Sequence, residues 1–570
     1  MRMTNKIMRN NAAYNINQNK ILQDKLTNQM TNQSKIARPS DDPVVAIRAL
    51  RLRSNVTTVT QYNEKNAEDA KQWLTLTADA MTSVDNVLNK LYEQATSSAD
   101  KYNKAEDLRI FLSQMKQMTA EFYTCANVDY AGRFVFSGYR TDLPVTFTAE
   151  DKKEMDEHPV SYNITENFGF SDIKRVDYTD YGKLKEGLGG AAGPALPGTP
   201  GGAAGVDEVN SYEQTVKNST LYRFRLSYNT VDSLAEGGKL SITMPGGVEM
   251  KVAANGTATN GKLATSLTDA AGNPLTPTAG PPVIPEIAEF SDQEQAYKEI
   301  ADGTFKGIAY IPSSGELVFS KEFYDANFNE VDFAGQDAFH VTYDKSEWKN
   351  GDINPVHYFK CIETLRTTGP DVPDDEARYR RTAYNTQRDE GRNQDIYYDV
   401  GYNQQIQVNT RADEIFTHDV QRDMDDFNHY LKQLEDIETL QADLETKQAE
   451  WPEDSPEYQD YAKRLEGVKK AWTYIRDNIH TKFENQITNY QQYMDDSRVA
   501  MTDNATRGSR LTLIKTRLTN QQATYKELQE DNEGIDITET AIEMTSADLA
   551  YNAALMATGK IMQTNLMNYI

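Results

Sequence analysis

Cysteine is nearly absent from this sequence. Cys125 and Cys361 are the two in 570 residues, too few to staple a fold with disulfides. Long apolar runs are missing as well; no stretch of ~20 apolar residues occurs, so nothing reads as a membrane-spanning helix. The first residues are polar and rich in Asn, without the apolar core and cleavage site of a signal peptide. Basic charge is in deficit: 60 Lys and Arg stand against 86 Asp and Glu, a net of −26. Nucleic-acid phosphates need a basic footprint, and this balance argues against such a partner. Histidine is scarce, with six in the chain and no pair at the i, i+4 spacing of a helical zinc site. His418 and His429 fall on one side of a predicted helix but three turns apart, ~16 Å, too far to share a metal.

Other chemistry is equally thin. Asp325-Ala326-Asn327-Phe328-Asn329 opens like a calcium loop, but Glu330 stands at the glycine turn and Gln336 at the closing carboxylate position, so it reads as a loop of solvated acids. There is no Gly-rich loop followed by Lys to cradle phosphate, and no Gly-x-Ser-x-Gly elbow. Paired acids such as Asp374-Asp375 and Asp425-Asp426 carry no specificity in so acidic a chain. The sequence predicts no enzyme, with no catalytic residue, no metal ligand and no cofactor.

What the chain does have is apolar periodicity at both ends. Ile535, Ile542, Leu549 and Met556 fall seven apart, and Leu555, Met562, Leu566 and Tyr569 carry the stripe to Ile570. Ala550, Ala553, Ala554, Ala557 and Gly559 fill neighbouring positions, where another helix can approach closely. Such a helix over 535–570 would run ~54 Å. A terminus frays unless something ties it down, so this stripe asks for a partner within the chain or on another copy. At the other end Ile7, Tyr14 and Ile21 are spaced by seven, and Leu22, Leu26 and Met30 by four. That predicts a helix over 1–36 with a narrow stripe, diluted by Asn and Gln that pair poorly. Both ends read as marginal helices ordered by joining a larger bundle, with Ile7, Tyr14, Ile21, Ile535, Ile542, Leu549, Met556, Met562, Leu566 and Tyr569 as a self-assembly seam. The competing reading is a solvated tail at one end and an ordinary core helix at the other.

Charge follows the same division. Residues 1–140 carry a net of +5 and residues 498–570 a net of −2, which leaves about −29 for the middle. Near-neutral ends suit repeated self-packing, and an acidic middle suits a solvated, self-repelling surface. Asp42 before Pro43 is a helix start, a capping carboxylate followed by Pro at the first helical position. Val45, Ala49, Leu52, Val56 and Val59 follow at 4-3-4-3 spacing, then Leu74, Met81, Val84, Leu88 and Leu91. A return helix carries Leu108, Phe111, Met115, Met118, Phe122 and Cys125. These are narrow, coiled-coil-like seams. A short strand over 132–138, bounded by glycines, closes the helical block.

From about 144 to 410 the helical period fades. Hairpins are predicted over 239–253 and 307–319, and loops or linkers poor in core formers over 186–206 and 253–285. Helix returns at Val420, Met424, Phe427, Leu431 and Leu434 and is interrupted at Trp451-Pro452. It resumes over 456–495, and a further helix with Leu511, Ile514, Leu518, Tyr525 and Leu528 breaks at Glu533-Gly534. The chain is thus mainly α with an inserted β-rich domain, the two helical blocks pairing and the β block looping out.

Three segments resemble bacterial flagellin-type axial proteins, and among them the hook-associated protein 3 family that joins hook to filament. Ala37-Arg38-Pro39-Ser40-Asp41-Asp42-Pro43 is similar to that family's Pro-Ser-Asp-Asp-Pro segment, with Ser40, Asp41, Asp42 and Pro43 as the helix-start motif. Ala126-Asn127-Val128-Asp129-Tyr130 through Gly132-Arg133-Phe134-Val135-Phe136-Ser137-Gly138 is similar to its helix exit and strand. Ile535-Asp536-Ile537-Thr538-Glu539-Thr540-Ala541-Ile542 onward is similar to its terminal helix, and Gly508-Ser509-Arg510 fits its Gly-x-Arg. The resemblance covers about 140 residues at the start and 75 at the end; Arg507 and the Asn-rich N-terminus depart from it. It implies a flagellin-like fold in which 1–42 and 535–570 form an inner terminal coiled coil. Residues 43–143 and 411–534 then form an outer helical bundle, and 144–410 a variable surface insert. It also implies export without a cleavable signal, an extracellular place in the flagellum, and a cytoplasmic chaperone on the C-terminal helix. Further implied partners are other copies in a ring, the first hook-associated protein, filament flagellin and the filament cap; no membrane or nucleic acid is implied. A filament flagellin with a large insert, or an axial protein whose insert binds glycans, are the alternatives.

Overall fold

The computed structural model describes residues 5–36, 38–100, 105–157, 160–185, 212–245, 248–259, 261–278, 284–328, 339–365, 381–382 and 394–563. The chain divides into two compact units: one of residues 1–72, 397–407 and 506–570, the other of residues 73–396 and 408–505. The architecture is mainly helical with an inserted β-rich domain.

Helices α1 (Asn5–Asn32) and α2 (Pro43–Thr60) open the chain. A six-residue π-helical turn, Gln61–Asn66, leads into α3 (Ala67–Ser98), and α4 (Ala105–Thr124) returns. Short helices α5 (Ala149–Glu157), α6 (Gly182–Lys185), α7 (Tyr212–Thr215), α8 (Gln293–Ala301) and α9 (Lys321–Asn327) follow, and near the other end lie α10 (Asp419–Ala449), α11 (Pro456–Glu533) and α12 (Ile537–Gln563). The stripe expected on α2 is protected from solvent, with Ala49 and Val59 buried and Val45, Leu52 and Val56 half-buried.

In the larger unit α4 packs on α10. Phe122 meets Phe416 edge-on, with ring centroids 5.3 Å apart, and the Tyr123 hydroxyl donates to the Thr417 carbonyl at 2.7 Å. The pair expected to end at Trp451-Pro452 does so, since α10 stops at Ala449 and α11 begins at Pro456. The separate helices expected over 456–495 and from 511 are instead one helix of 78 residues. The physical reason is that its stripe continues on small and polar residues: Ser497, Ala500 and Asn504 are buried between Met494 and Leu511. They keep the helical spacing while lacking the bulk that makes it visible.

The inserted sheet is built from β3 (Val160–Phe168), β4 (Ile173–Asp180), β5 (Lys217–Arg225), β6 (Leu240–Thr243), β7 (Glu249–Ala254), β8 (Lys262–Thr268) and β9 (Pro274–Leu275). It is completed by β10 (Ile287–Phe290), β11 (Ile308–Ile311), β12 (Glu316–Ser320), β13 (Phe339–Lys345), β14 (Lys360–Leu365) and β15 (Arg381–Thr382). The order is β15-β14-β3-β13-β6-β7-β8-β10-β11-β12-β5-β4, with β9 on β8. Only the β10–β11 pairing is parallel among the described strands. Both expected hairpins are present, as β6–β7 and β11–β12. The expectation of a loop over 253–285 fails at β8, which lies between β7 and β10 because Leu263 and Leu267 both point into the core. The expected strand over 132–138 shortens to β2 (Arg133–Phe134), paired with β1 (Asp129–Tyr130) around Ala131 and Gly132, both at positive φ. The calcium-like segment is helical through Asn327, and Phe328 is buried; Glu330 and Gln336 lie outside the described residues.

The sheet curls so that distant strands share one core. Phe168 of β3, Phe224 of β5, Phe319 of β12 and Phe339 of β13 meet there, and Phe224 stacks on Phe339 at 4.3 Å. Such rings contribute both area and aromatic geometry.

Candidate assembly interface

The smaller unit is organised by two helix starts. Asp42 Oδ1 accepts from the Val44 and Val45 amides at 3.0 and 3.1 Å, Pro43 sits at the first helical position, and Asp41 Oδ2 accepts from the Arg38 amide at 2.8 Å. Ser40 lies in the exposed turn before it. Asp536 does the same work for α12, accepting from Thr538 and Glu539 at 2.9 and 3.1 Å. The connections are pinned to each other. The Lys35 amide donates to the Glu533 carbonyl at 2.7 Å, Ser34 bridges Gly534, and the Arg53 Nε lies 2.9 and 3.0 Å from the two Glu533 oxygens. Gly534 allows the close turn, since a Cβ there would sit 2.5 Å from the Glu530 carbonyl oxygen.

From these turns α1 runs along α12, and the two are in contact over their lengths. The stripe that α1 withdraws from solvent is Met8, Ala12, Ile16, Asn19, Gln23 and Leu26; on α12 it is Thr540, Met544, Ala547, Tyr551, Ala554 and Thr558. Both follow the three-and-four spacing of a coiled-coil seam, and Gln23 hydrogen-bonds Asp548 across it. The apolar series spaced by seven lies elsewhere. Ile7, Tyr14 and Ile21 are 48, 63 and 55 % exposed, and Ile542, Leu549 and Met556 are 66, 72 and 73 % exposed. Ile535 is half-buried at the α11–α12 turn. Met562 falls in α12 with its side chain outside the described residues, and Leu566 and Tyr569 lie outside them altogether. The helices therefore pair through one stripe and present a second, more apolar one to solvent. Apolar periodicity announces the exposed stripe, and not the more polar one the chain uses on itself.

A polar network holds the π-helical turn. Buried Asn63 donates to Gln522 at 3.1 Å and to Thr519 at 3.3 Å, and Gln522 donates to Thr60 and Glu64 at 2.8 Å each. The hairpin of β16 (Tyr397–Gly401) and β17 (Gln404–Gln407) docks beside it. Asn66 donates to the Asp399 carbonyl at 2.8 Å, and Tyr398 to Asp69 at 3.1 Å. Sequence reading missed this hairpin and the π turn, because polar side chains hold both.

In the larger unit buried titratable groups meet in a charged cluster. Arg225 reaches Asp419, Asp423 and Asp426 at 2.7, 2.9 and 3.0 Å, Arg223 reaches Asp426 at 2.7 Å and pairs with Glu316, and Lys482 lies 2.8 Å from Asp426. Burial alone would raise the Asp423 carboxyl, but Lys482 and Arg225 hold it down to about 2. Burial pushes Glu166 up to about 7 despite bonds from Tyr343 and Ser227. Burial also lowers His357 to about 4 and His418 to about 3, the latter 3.1 Å from the Tyr228 hydroxyl. Among the described residues no group of three His, Cys, Asp or Glu is arranged to hold a metal, and no helix is long and apolar enough to cross a membrane.

Residues 3–141 match the family model of the bacterial flagellin N-terminal helical region. No curated protein matches the chain significantly. Among solved structures, FlgL of Xanthomonas campestris is similar at 10% identity over 83% of this chain and 98% of that one, with a TM-score of 0.24. Flagellar hook associated protein-3 from Legionella pneumophila is similar at 8% identity over 83% of this chain and 98% of that one, with a TM-score of 0.20. The flagellar junction protein FlgL from Legionella pneumophila aligns over 80% of this chain and 99% of that one, at 8% identity and a TM-score of 0.20. These superpositions are too loose to transfer any residue's role. The family match spans both the helix start at 39–43 and the helix exit at 126–138, so this part of the chain is similar to the N-terminal helical region of bacterial flagellin.

Proposed function

We propose that this chain is a non-enzymatic adapter of the bacterial flagellum, joining hook to filament as a ring of copies assembled through the terminal helices. The observation that carries the reading is the doubled stripe: α1 and α12 are already paired, yet Ile7, Tyr14, Ile21, Ile542, Leu549 and Met556 remain exposed. An apolar face of this kind costs solubility unless it is covered. Covering it with neighbouring copies gains ~25 cal/mol per Å² of apolar area removed from water, offset by the ordering of the helices. In this reading assembly needs a template and a high local concentration, as at a growing tip. The Pro39-Ser40-Asp41-Asp42-Pro43 segment favours the junction over the filament itself. The first hook-associated protein, filament flagellin and cap are the proposed neighbours, and an export chaperone covers α12 before secretion.

The experiment is a chain ending at Glu533, tested for motility and for filament attachment in cells. We expect a soluble, helical protein that no longer joins filament to hook. Retained attachment would remove α12 as the assembly element. A junction adapter is also expected to be a minor component of sheared filaments, whereas a filament subunit would be the major one.

A further inference from the structure

The outward faces of α2 and α12 differ in charge. On α2, Val44 and Ile47 are exposed, and Arg48 and Arg51 lie on the same side at i, i+3, i+4 and i+7. On α12, Ile542 is exposed opposite the stripe that meets α1, and Glu539 and Glu543 are exposed beside it at i−3 and i+1. None of these four charged side chains has an ion-pair partner among the described residues. The segment from Glu527 to Glu543 holds seven acids and no Lys or Arg. Within the chain that acidic segment already takes one α2 arginine, through the Arg53–Glu533 pair.

We propose that the Val44–Ile47–Arg48–Arg51 face of α2 docks on the Glu539–Ile542–Glu543 face of α12 in a second copy of this chain. Each face offers an apolar centre flanked by charge, and the signs are opposite. Charge of this kind chiefly selects the partner and its register, while apolar burial supplies the affinity. The two faces are different surfaces of one molecule, so the contact is head-to-tail. Such contacts close into rings or continue as helical arrays. Two identical faces would instead stop at a dimer. The inference rests on the assembly reading above and adds which surfaces meet.

The test is charge exchange in the full-length chain, read by sedimentation of assembled protein at high concentration. Circular dichroism checks that each variant keeps its helices. R48E/R51E and E539K/E543K are each expected to lower the sedimenting fraction about tenfold. The chain carrying all four changes, and an equimolar mixture of the two double variants, are expected to recover most of it. A four-fold variant as poor as the doubles would overturn the pairing. Loss in R48E/R51E alone would place the α2 face on some other acidic partner and also overturn it. Failure of the unchanged chain to assemble would strike the assembly reading itself, an outcome distinct from the other two.

Discussion

The two units of this molecule treat apolar side chains in opposite ways. The larger one encloses a core of aromatics, and buries charged side chains in clusters of opposite sign such as Arg223 and Arg225 with Asp423 and Asp426. The smaller one ties down its turns with caps and ion pairs, yet leaves Ile542, Leu549 and Met556 in water. One core is closed within the chain; the other has a wall still open. A closed core predicts an autonomous fold, and an open wall predicts association.

The largest effect should come from attacking the open wall. Ile542→Asp with Leu549→Asp is expected to abolish sedimentable assemblies while leaving thermal unfolding within ~0.5 kcal/mol, as for other exposed substitutions. Arg225→Met is expected to do the reverse. It removes one buried cation from Asp423 and Asp426, which keep Lys482 and, for Asp426, Arg223, and should cost ~3 kcal/mol in denaturant unfolding, with assembly at low denaturant unchanged. If each substitution moved both readouts, the division into closed and open parts would fail.

Much of this division is legible in the residues. The protected stripes of α2, α3 and α4 follow from Val45, Ala49, Leu52, Leu74 and Met115 at helical spacing, and the hairpins from Met244-Pro245 and Ser313-Ser314-Gly315. What escaped has a common cause. Apolar periodicity is silent where polar or small side chains hold the structure, as in Ser497 and Asn504 of α11 or Asn63 and Gln522 at the π turn. Strand β8 was hidden because two leucines four apart, Leu263 and Leu267, are its only large core residues among loop-like neighbours. On the terminal helices the exposed series spaced by seven was the easier to see, since the packed stripe contains Asn19, Gln23 and several alanines.

A smaller effect sharpens the contrast from inside the closed unit. Glu166 has its pKa raised to about 7 by burial, against about 4.5 when unfolded. The folded state therefore holds this proton more tightly, and its stabilisation is full below pH ~4.5 and lost as pH rises through 7, about 3 kcal/mol in all. His418 and His357 run the other way: their pKa values are lowered to about 3 and about 4, so stability falls as pH drops below 6.5. Between pH 7 and 4.5 the two trends oppose. Glu166→Gln removes the first and leaves the second, so its unfolding free energy should fall on acidification by about 3 kcal/mol more than that of the unchanged chain. Equal slopes would mean that Glu166 is not protonated near neutrality in the folded unit.

The smallest effect probes how the open unit holds its exposed face in place. Asp42 accepts two first-turn amides of α2, and Asp536 accepts two of α12. Asp42→Ala should cost ~1 kcal/mol, enough to speed hydrogen exchange at the Val44 and Val45 amides about fivefold, whereas Asp42→Asn should restore most of the protection. Because α2 and α12 start from separate caps, exchange at Thr538 and Glu539 should not change. Acceleration at both helix starts would mean that the turns pinned by Lys35, Arg53 and Glu533 open as one piece, and that the outward face of α12 depends on the cap of α2.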